Sequence, residues 1–226
     1  IGPSYNCLEN FFLRLSSSSP RPELLTDNLG ASYEILNNYF KTYPACAHVH
    51  SSVEAMEYIL TNHQIQIADI GCVEVRTYPL AARLNDQNPL NTLAGMFSIP
   101  YCLGTMLVKG TLTVEPLVAE APLEPQVLRM ASLIRVVKDE NLKPHYPTGR
   151  PSLVRIHLKN GAEYEHFVDI PRGDENKRIS DKVLEEKFLE MVNPITGIKR
   201  AQELKRNIDD LEKVTDISEL LIHLYS

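Results

Sequence analysis

The stretch Leu153-Val154-Arg155-Ile156-His157-Leu158, then Lys159-Asn160-Gly161, then Tyr164-Glu165-His166-Phe167-Val168 reads as a β-hairpin. Its signal is the Asn-Gly junction, which tolerates the positive φ of a tight turn. Working outward, Ile134-Arg135-Val136-Val137 gives a further strand behind a short helix over 125–132. Ile70, Cys72 and the run Val73 to Val75 give another through Thr77, with β-branched residues favouring extended backbone. Val49, Val53, Met56, Ile59 and Leu60 recur at helical spacing and predict a helix over 51–61. A second helix is predicted over 92–108, where Pro100 should kink it or divide it in two and Gly110 supplies its stop. From Ser180 onward the texture is charged helix, with Val183, Leu184, Phe188, Met191 and Val192 on one apolar face. Ser180 and Asp181 suit that helix start by accepting backbone N–H bonds and opposing the helix dipole. Helical entry, mixed middle and helical tail predict an α+β fold. Residues 1–40 would end one segment of a helical body, 41–170 would form a smaller α+β domain, and 171–226 would return to helix.

Composition bounds the function. The chain has 226 residues, 43% of them apolar and 23% charged, enough to bury a substantial core. Net charge is −6 and the basic residues are scattered, which disfavours a nucleic-acid partner. No apolar run approaches the roughly 18 to 20 residues of a membrane span, so none is expected. Cys7, Cys46, Cys72 and Cys102 form no C-x-x-C pair, and free thiols in a reducing compartment are expected. Ser16 to Pro22 reads as an exposed loop, and the opening Ile1-Gly2-Pro3-Ser4 as an internal cut.

Two clusters could carry chemistry. Lys41-Thr42-Tyr43-Pro44-Ala45-Cys46-Ala47-His48-Val49-His50 gathers a cation, two imidazoles, a thiol and a phenol. On a strand, His48 and His50 would share a face and could chelate a metal, yet no third ligand stands near them in sequence, so no metal is expected. The plain alternative for each is a hydrogen-bonded residue near a helix start, and for Lys41 a solvated amine. The second cluster is Met96-Phe97-Ser98-Ile99-Pro100-Tyr101-Cys102, where a proline kink could aim Tyr101 into a cavity. A core tyrosine with a satisfied hydroxyl is the alternative there.

Taken in order, these clusters resemble the second half of MmgE/PrpD proteins, the family of 2-methylcitrate dehydratases and cis-aconitate decarboxylases. The resemblance is carried by Lys-x-Tyr-Pro-x-Cys at Lys41 to Cys46 and by His50-Ser51-Ser52-Val53-Glu54-Ala55 opening a helix. Phe97-Ser98-Ile99-Pro100-Tyr101 follows, with Gly110, Asp139, Asn160-Gly161 and Gly173-Asp174. Ser180-Asp181-Lys182-Val183-Leu184-Glu185-Glu186-Lys187-Phe188 completes the set. No single piece is specific; the ordered set is. It implies a helical domain with a smaller α+β lid, to which Lys41 and Tyr101 contribute cleft positions, with His50 near them. It also implies further substrate contacts from Cys46, His48 and Ser98, no cofactor, a homodimer, and a cytoplasmic or mitochondrial-matrix setting. Other catalytic groups of the family lie in the N-terminal half. Two departures matter: decarboxylase members carry a histidine where this chain has Cys46, and the residue before the Phe-Ser-x-Pro-Tyr motif, often polar, is Met96.

Dehydrating a citrate-like polycarboxylate needs cations for its carboxylates, a base for the carbon-bound proton and an acid for the departing hydroxyl. Lys41 suits the first role, Tyr101 can donate to the hydroxyl, and His50 has the better intrinsic pKa for a proton shuttle. The expected activity is therefore a metal-independent dehydratase. A decarboxylase or epimerase on the same scaffold is the rival enzyme, and a non-catalytic lid or interaction module the rival of another class.

Overall fold

Strand Ile70–Thr77 (β1) forms where it was expected, and two neighbours flank it. The computed structural model describes residues 21, 26–113 and 123–218. Ile134–Lys138 (β2) runs parallel to β1, Ser152–Leu158 (β3) runs antiparallel on the other side, and Glu163–Val168 (β4) completes the order β2-β1-β3-β4. The β3–β4 turn differs in detail from a two-residue Asn-Gly turn. Gly161 alone takes the positive φ, +89°, while its N–H returns to the Leu158 carbonyl at 3.0 Å and Ala162 N–H reaches the Asn160 side chain. Leu158 N–H to Ala162 carbonyl then closes a longer loop with a left-handed glycine at its end.

The sheet has one apolar and one charged face because side chains alternate along each strand. Val73 and Val75 of β1, Ile134 of β2, Val154 and Ile156 of β3, and Val168 of β4 point into the core. Across the other face the register lines up Arg135, Glu74, Arg155 and Glu165 as neighbours on successive strands. Arg155 pairs with Glu165 at 2.5 Å, so opposite charges meet on this row.

Helices cover the apolar face. His50–Asn62 (α1) buries Val53, Met56 and Ile59 against β3 and β4. The predicted helix over 92–108 is divided into Thr92–Gly95 (α2) and Ile99–Lys109 (α3). The break falls before Pro100, which sits in the first turn of α3, where its missing N–H would have had no helical partner. Pro100 therefore starts a helix and kinks none, a correction to the aiming argument made from sequence. Gly110 ends α3 in the left-handed conformation, φ +76°. Each fully buried Ile, Leu or Met of this layer contributes on the order of 1.5–3 kcal/mol. Beneath it runs a buried hydroxyl chain. Ser52 donates to Ser152 at 3.1 Å, Ser152 to Thr77 at 3.0 Å, and Thr77 to the Pro151 carbonyl at 2.7 Å, so helix and sheet are tied without an orphan hydroxyl along it.

Pro125–Ala131 (α4) packs on α3, and Asp181–Thr196 (α5) packs on Ile198–Asp209 (α6) across Gly197. Ser180 occupies the N-cap position of α5, but its side chain makes no capping bond. The apolar row expected on α5 is not buried: Val183 and Met191 are exposed, whereas Ala201 and Leu204 of α6 are buried. The chain divides into two units, Ile1–Asn38 and Tyr39–Ser226; the described part of the first holds a 3-10 turn at Glu34–Asn37. Ser16 to Ser19, Pro20 and Pro22 of the predicted loop, and Cys7, lie outside the described residues. Among the described residues no helix is long and apolar enough to cross a membrane.

Candidate active site

Proline and short turns keep Lys41 to Cys46 out of regular structure. The chain then tightens into a 3-10 turn at Ala47–Val49, and His50 becomes the first residue of α1. Cys46 N–H donates to the Met96 carbonyl at 3.0 Å, so the two sequence clusters meet directly. On the Met96 side, Ser98 is buried as the N-cap of α3. Its hydroxyl accepts from Tyr101 N–H at 3.0 Å and donates to the Asp86 carbonyl. Ser98 thereby positions the start of the helix that carries Tyr101. The half-buried Tyr101 ring lies so close over Gly95 that a Cβ there would fall 2.5 Å from it. Cys102 is buried below, its thiol pushed up to about 12 by burial.

The two imidazoles have different environments. His50 is fully buried; the Ala45 carbonyl can only accept, so His50 Nε2 donates to it at 3.3 Å. Nδ1 must then accept from the Tyr39 hydroxyl at 2.5 Å. Burial, partly offset by the Ala45 bond, lowers the His50 pKa to about 4, and the charges of Lys41, Arg150 and Lys187 lower it further. His50 is a neutral ring with both nitrogens engaged. His48 is half-buried, with Nδ1 hydrogen-bonded to the Tyr78 hydroxyl and no partner for Nε2 among the described residues. Burial and then Arg150 lower its pKa as well. Tyr78 stacks on Tyr146 with centroids 5.1 Å apart, and burial raises the pKa of Tyr39 and Tyr78, which keeps both hydroxyls protonated.

Three cations, Lys41, Arg150 and Lys187, act on the His50 ring. Lys41 is exposed. Lys187 of α5 reaches back to donate to the Lys41 carbonyl at 2.5 Å. Arg150 lies over the Tyr39 ring at 5.2 Å and pairs with buried Asp174 at 3.1 Å. A clamp of acidic and basic groups holds the 172–177 loop on α1: Arg172 and Tyr43 share Glu57, while Arg172 N–H and Lys177 share Glu54. Among the described residues, the buried side-chain polar atoms without a hydrogen-bond partner are Thr42 Oγ1, Ser51 Oγ, Arg150 Nε and Arg172 Nε. All belong to the Lys41 strip, its helix start or the arginines packed against its neighbours. Orphan buried groups are costly, about 1–3 kcal/mol each, so each of these atoms favours a polar ligand or water that would pair it. The concavity lined by Leu60, Asn62, His63 and Gln66 sits at the far end of α1 and contains none of these groups.

Arg150, Tyr39, Tyr78 and Lys187 were not singled out from sequence. Tyr39 stands two residues before Lys41 and Lys187 lies inside the quoted α5 motif, but only their contacts single them out. Arg150 carries no sequence signal beyond preceding β3.

The description of the MmgE/PrpD C-terminal domain matches residues 43–213. Two curated relatives are cis-aconitate decarboxylases, one of Aspergillus terreus and one of its strain NIH 2624 / FGSC A1156. Each is 22% identical to this chain over 96% of its length and 47% of the relative's. The chain thus spans about half the length of the curated relatives it matches. Because the family match runs from the Tyr43 strip past the end of α6, over most of the residues, this chain belongs to the MmgE/PrpD family.

Proposed function

We propose that the chain is part of a cofactor-independent lyase that removes water from a small hydroxy polycarboxylate of the 2-methylcitrate type. The observation that carries this reading is the Cys46–Met96 hydrogen bond, which joins the Lys41 strip to the Tyr101 segment. Dehydration takes a proton from one carbon and hydroxide from its neighbour, and the C–H electron pair becomes the double bond. Lys41 holds a carboxylate and offsets the negative charge that opposes proton removal. Tyr101 hands a proton to the departing hydroxyl. With both His50 nitrogens engaged, His48 is the better base: in the neutral tautomer whose Nδ1–H donates to the Tyr78 hydroxyl, Nε2 keeps its lone pair and has no partner among the described residues. His50 acts from behind, fixing Tyr39. The half of the relatives that this chain does not span supplies the remaining groups.

Decarboxylation is the second reading, favoured by the names of the two relatives. Cys46, standing where decarboxylase members carry histidine, weighs against it. The complete natural protein should be offered 2-methylcitrate, citrate and cis-aconitate while alkene formation and carbon dioxide are measured. Alkene without carbon dioxide supports dehydration, and carbon dioxide from cis-aconitate supports decarboxylation. Binding without turnover would make the chain an interaction module, and no binding at all would refute the reading.

A further inference from the structure

The ammonium groups of Lys41 and Lys187 come from segments far apart in sequence, and Lys187 Nζ lies 2.5 Å from the Lys41 carbonyl. Neither forms an ion pair among the described residues, and several nearby carboxylates are paired elsewhere. Glu185 is with Lys205 at 3.8 Å and Glu186 with Lys182 at 3.7 Å on the same helix. Glu54 is with Lys177, Glu57 with Arg172, and Asp174 with Arg150. A chain of net charge −6 therefore keeps two cations without an ion pair whose charges both act on His50, on a strip where Thr42 Oγ1 is buried without a hydrogen-bond partner. Such a locus attracts an anion carrying more than one charge, since a single carboxylate would leave one ammonium uncompensated.

We propose that Lys187 is a second carboxylate-binding cation, so that the site takes a di- or tricarboxylate by pairing Lys41 and Lys187 with two carboxylates of one molecule. This rests on the polycarboxylate reading above and adds a residue from α5 to the site. The bond to the Lys41 carbonyl fixes the Lys187 ammonium at the backbone of the Lys41 strip and leaves its other two N–H donors for the ligand.

The test is calorimetric binding to the complete natural protein of tricarballylate, a saturated tricarboxylate without a hydroxyl to eliminate, with butyrate as the single-carboxylate control. Lys187→Gln should weaken tricarballylate about 10- to 100-fold, the loss expected for one charge-assisted contact. Lys187→Arg should restore most of it, and butyrate should change less than about twofold. If the wild type binds tricarballylate and Lys187→Gln binds it equally well, the inference falls and the functional reading stands. Equal weakening of both ligands with a lowered Tm would show a merely structural lysine and also overturn it. If the wild type binds no polycarboxylate, the functional reading falls and takes the inference with it.

Discussion

His50 is neutral because it is sealed, and that has a measurable cost in acid. Its ordinary pKa is 6.5 and burial brings it to about 4, so between these values the unfolded chain binds a proton that the folded chain refuses. Stability from this group is therefore full above about pH 6.5 and is lost as pH falls toward 4. At about 1.36 kcal/mol per pH unit, the loss is roughly 2 kcal/mol by about pH 5 and roughly 3 kcal/mol by about pH 4. His50→Gln offers an acceptor to the Tyr39 hydroxyl and a donor to the Ala45 carbonyl without a titrating ring. Urea unfolding of wild type and variant, at about pH 7.5 and about pH 5, isolates the effect, since His48, also depressed, is common to both. The wild type should lose about 2 kcal/mol more than the variant on acidification. Equal losses, or a His50 ring that titrates near its ordinary pKa by NMR, would refute the sealed-imidazole picture.

Lys41→Met in the complete protein should cost about 1.5 to 3 kcal/mol of binding or transition-state stabilisation, roughly 10- to 150-fold in kcat/KM. Tyr101→Phe should lower kcat with little change in KM; an unchanged kcat/KM for Lys41→Met would remove Lys41 from the site. Turnover should survive exhaustive chelation, and its loss with recovery on adding one divalent ion would overturn the metal-independent reading. Gly104→Ala should destabilise by about 1–3 kcal/mol in thermal or urea unfolding. A Cβ there would stand 2.8 Å from the Val127 carbonyl and 2.9 Å from Ala131 N, where α3 crosses α4; an unchanged Tm would mean the crossing is looser than described.

Short turns from Lys41 to Val49 hold Thr42 Oγ1 buried without a partner, and the strip is tied to the Met96 segment through Cys46 N–H and leads directly into α1. Rigid elements thus support an irregular strip, which is the usual division between scaffold and site.

What the sequence determined by itself is local. Period-two alternation at 70–77, helical spacing at 49–60, and Gly110 and Gly161 as left-handed stops are properties of neighbours in the chain, and the elements form where those signals stand. The family was legible for the same reason, because its motifs keep their order. Pro100 shows the limit: a proline in helical sequence either breaks a helix or begins one, and Ser98 capping Tyr101 N–H decides for the second. His48 and His50 show it more sharply. Both are imidazoles two residues apart, yet one keeps Nε2 without a described partner while the other is sealed between Tyr39 and the Ala45 carbonyl. Lys187 was readable only as a charge on a helix, and Arg150 only as a residue before a strand. Their meeting beside Lys41 and Tyr39 depends on how α5 and β3 pack, and burial and charge proximity are sums over neighbours in space that no stretch of sequence contains.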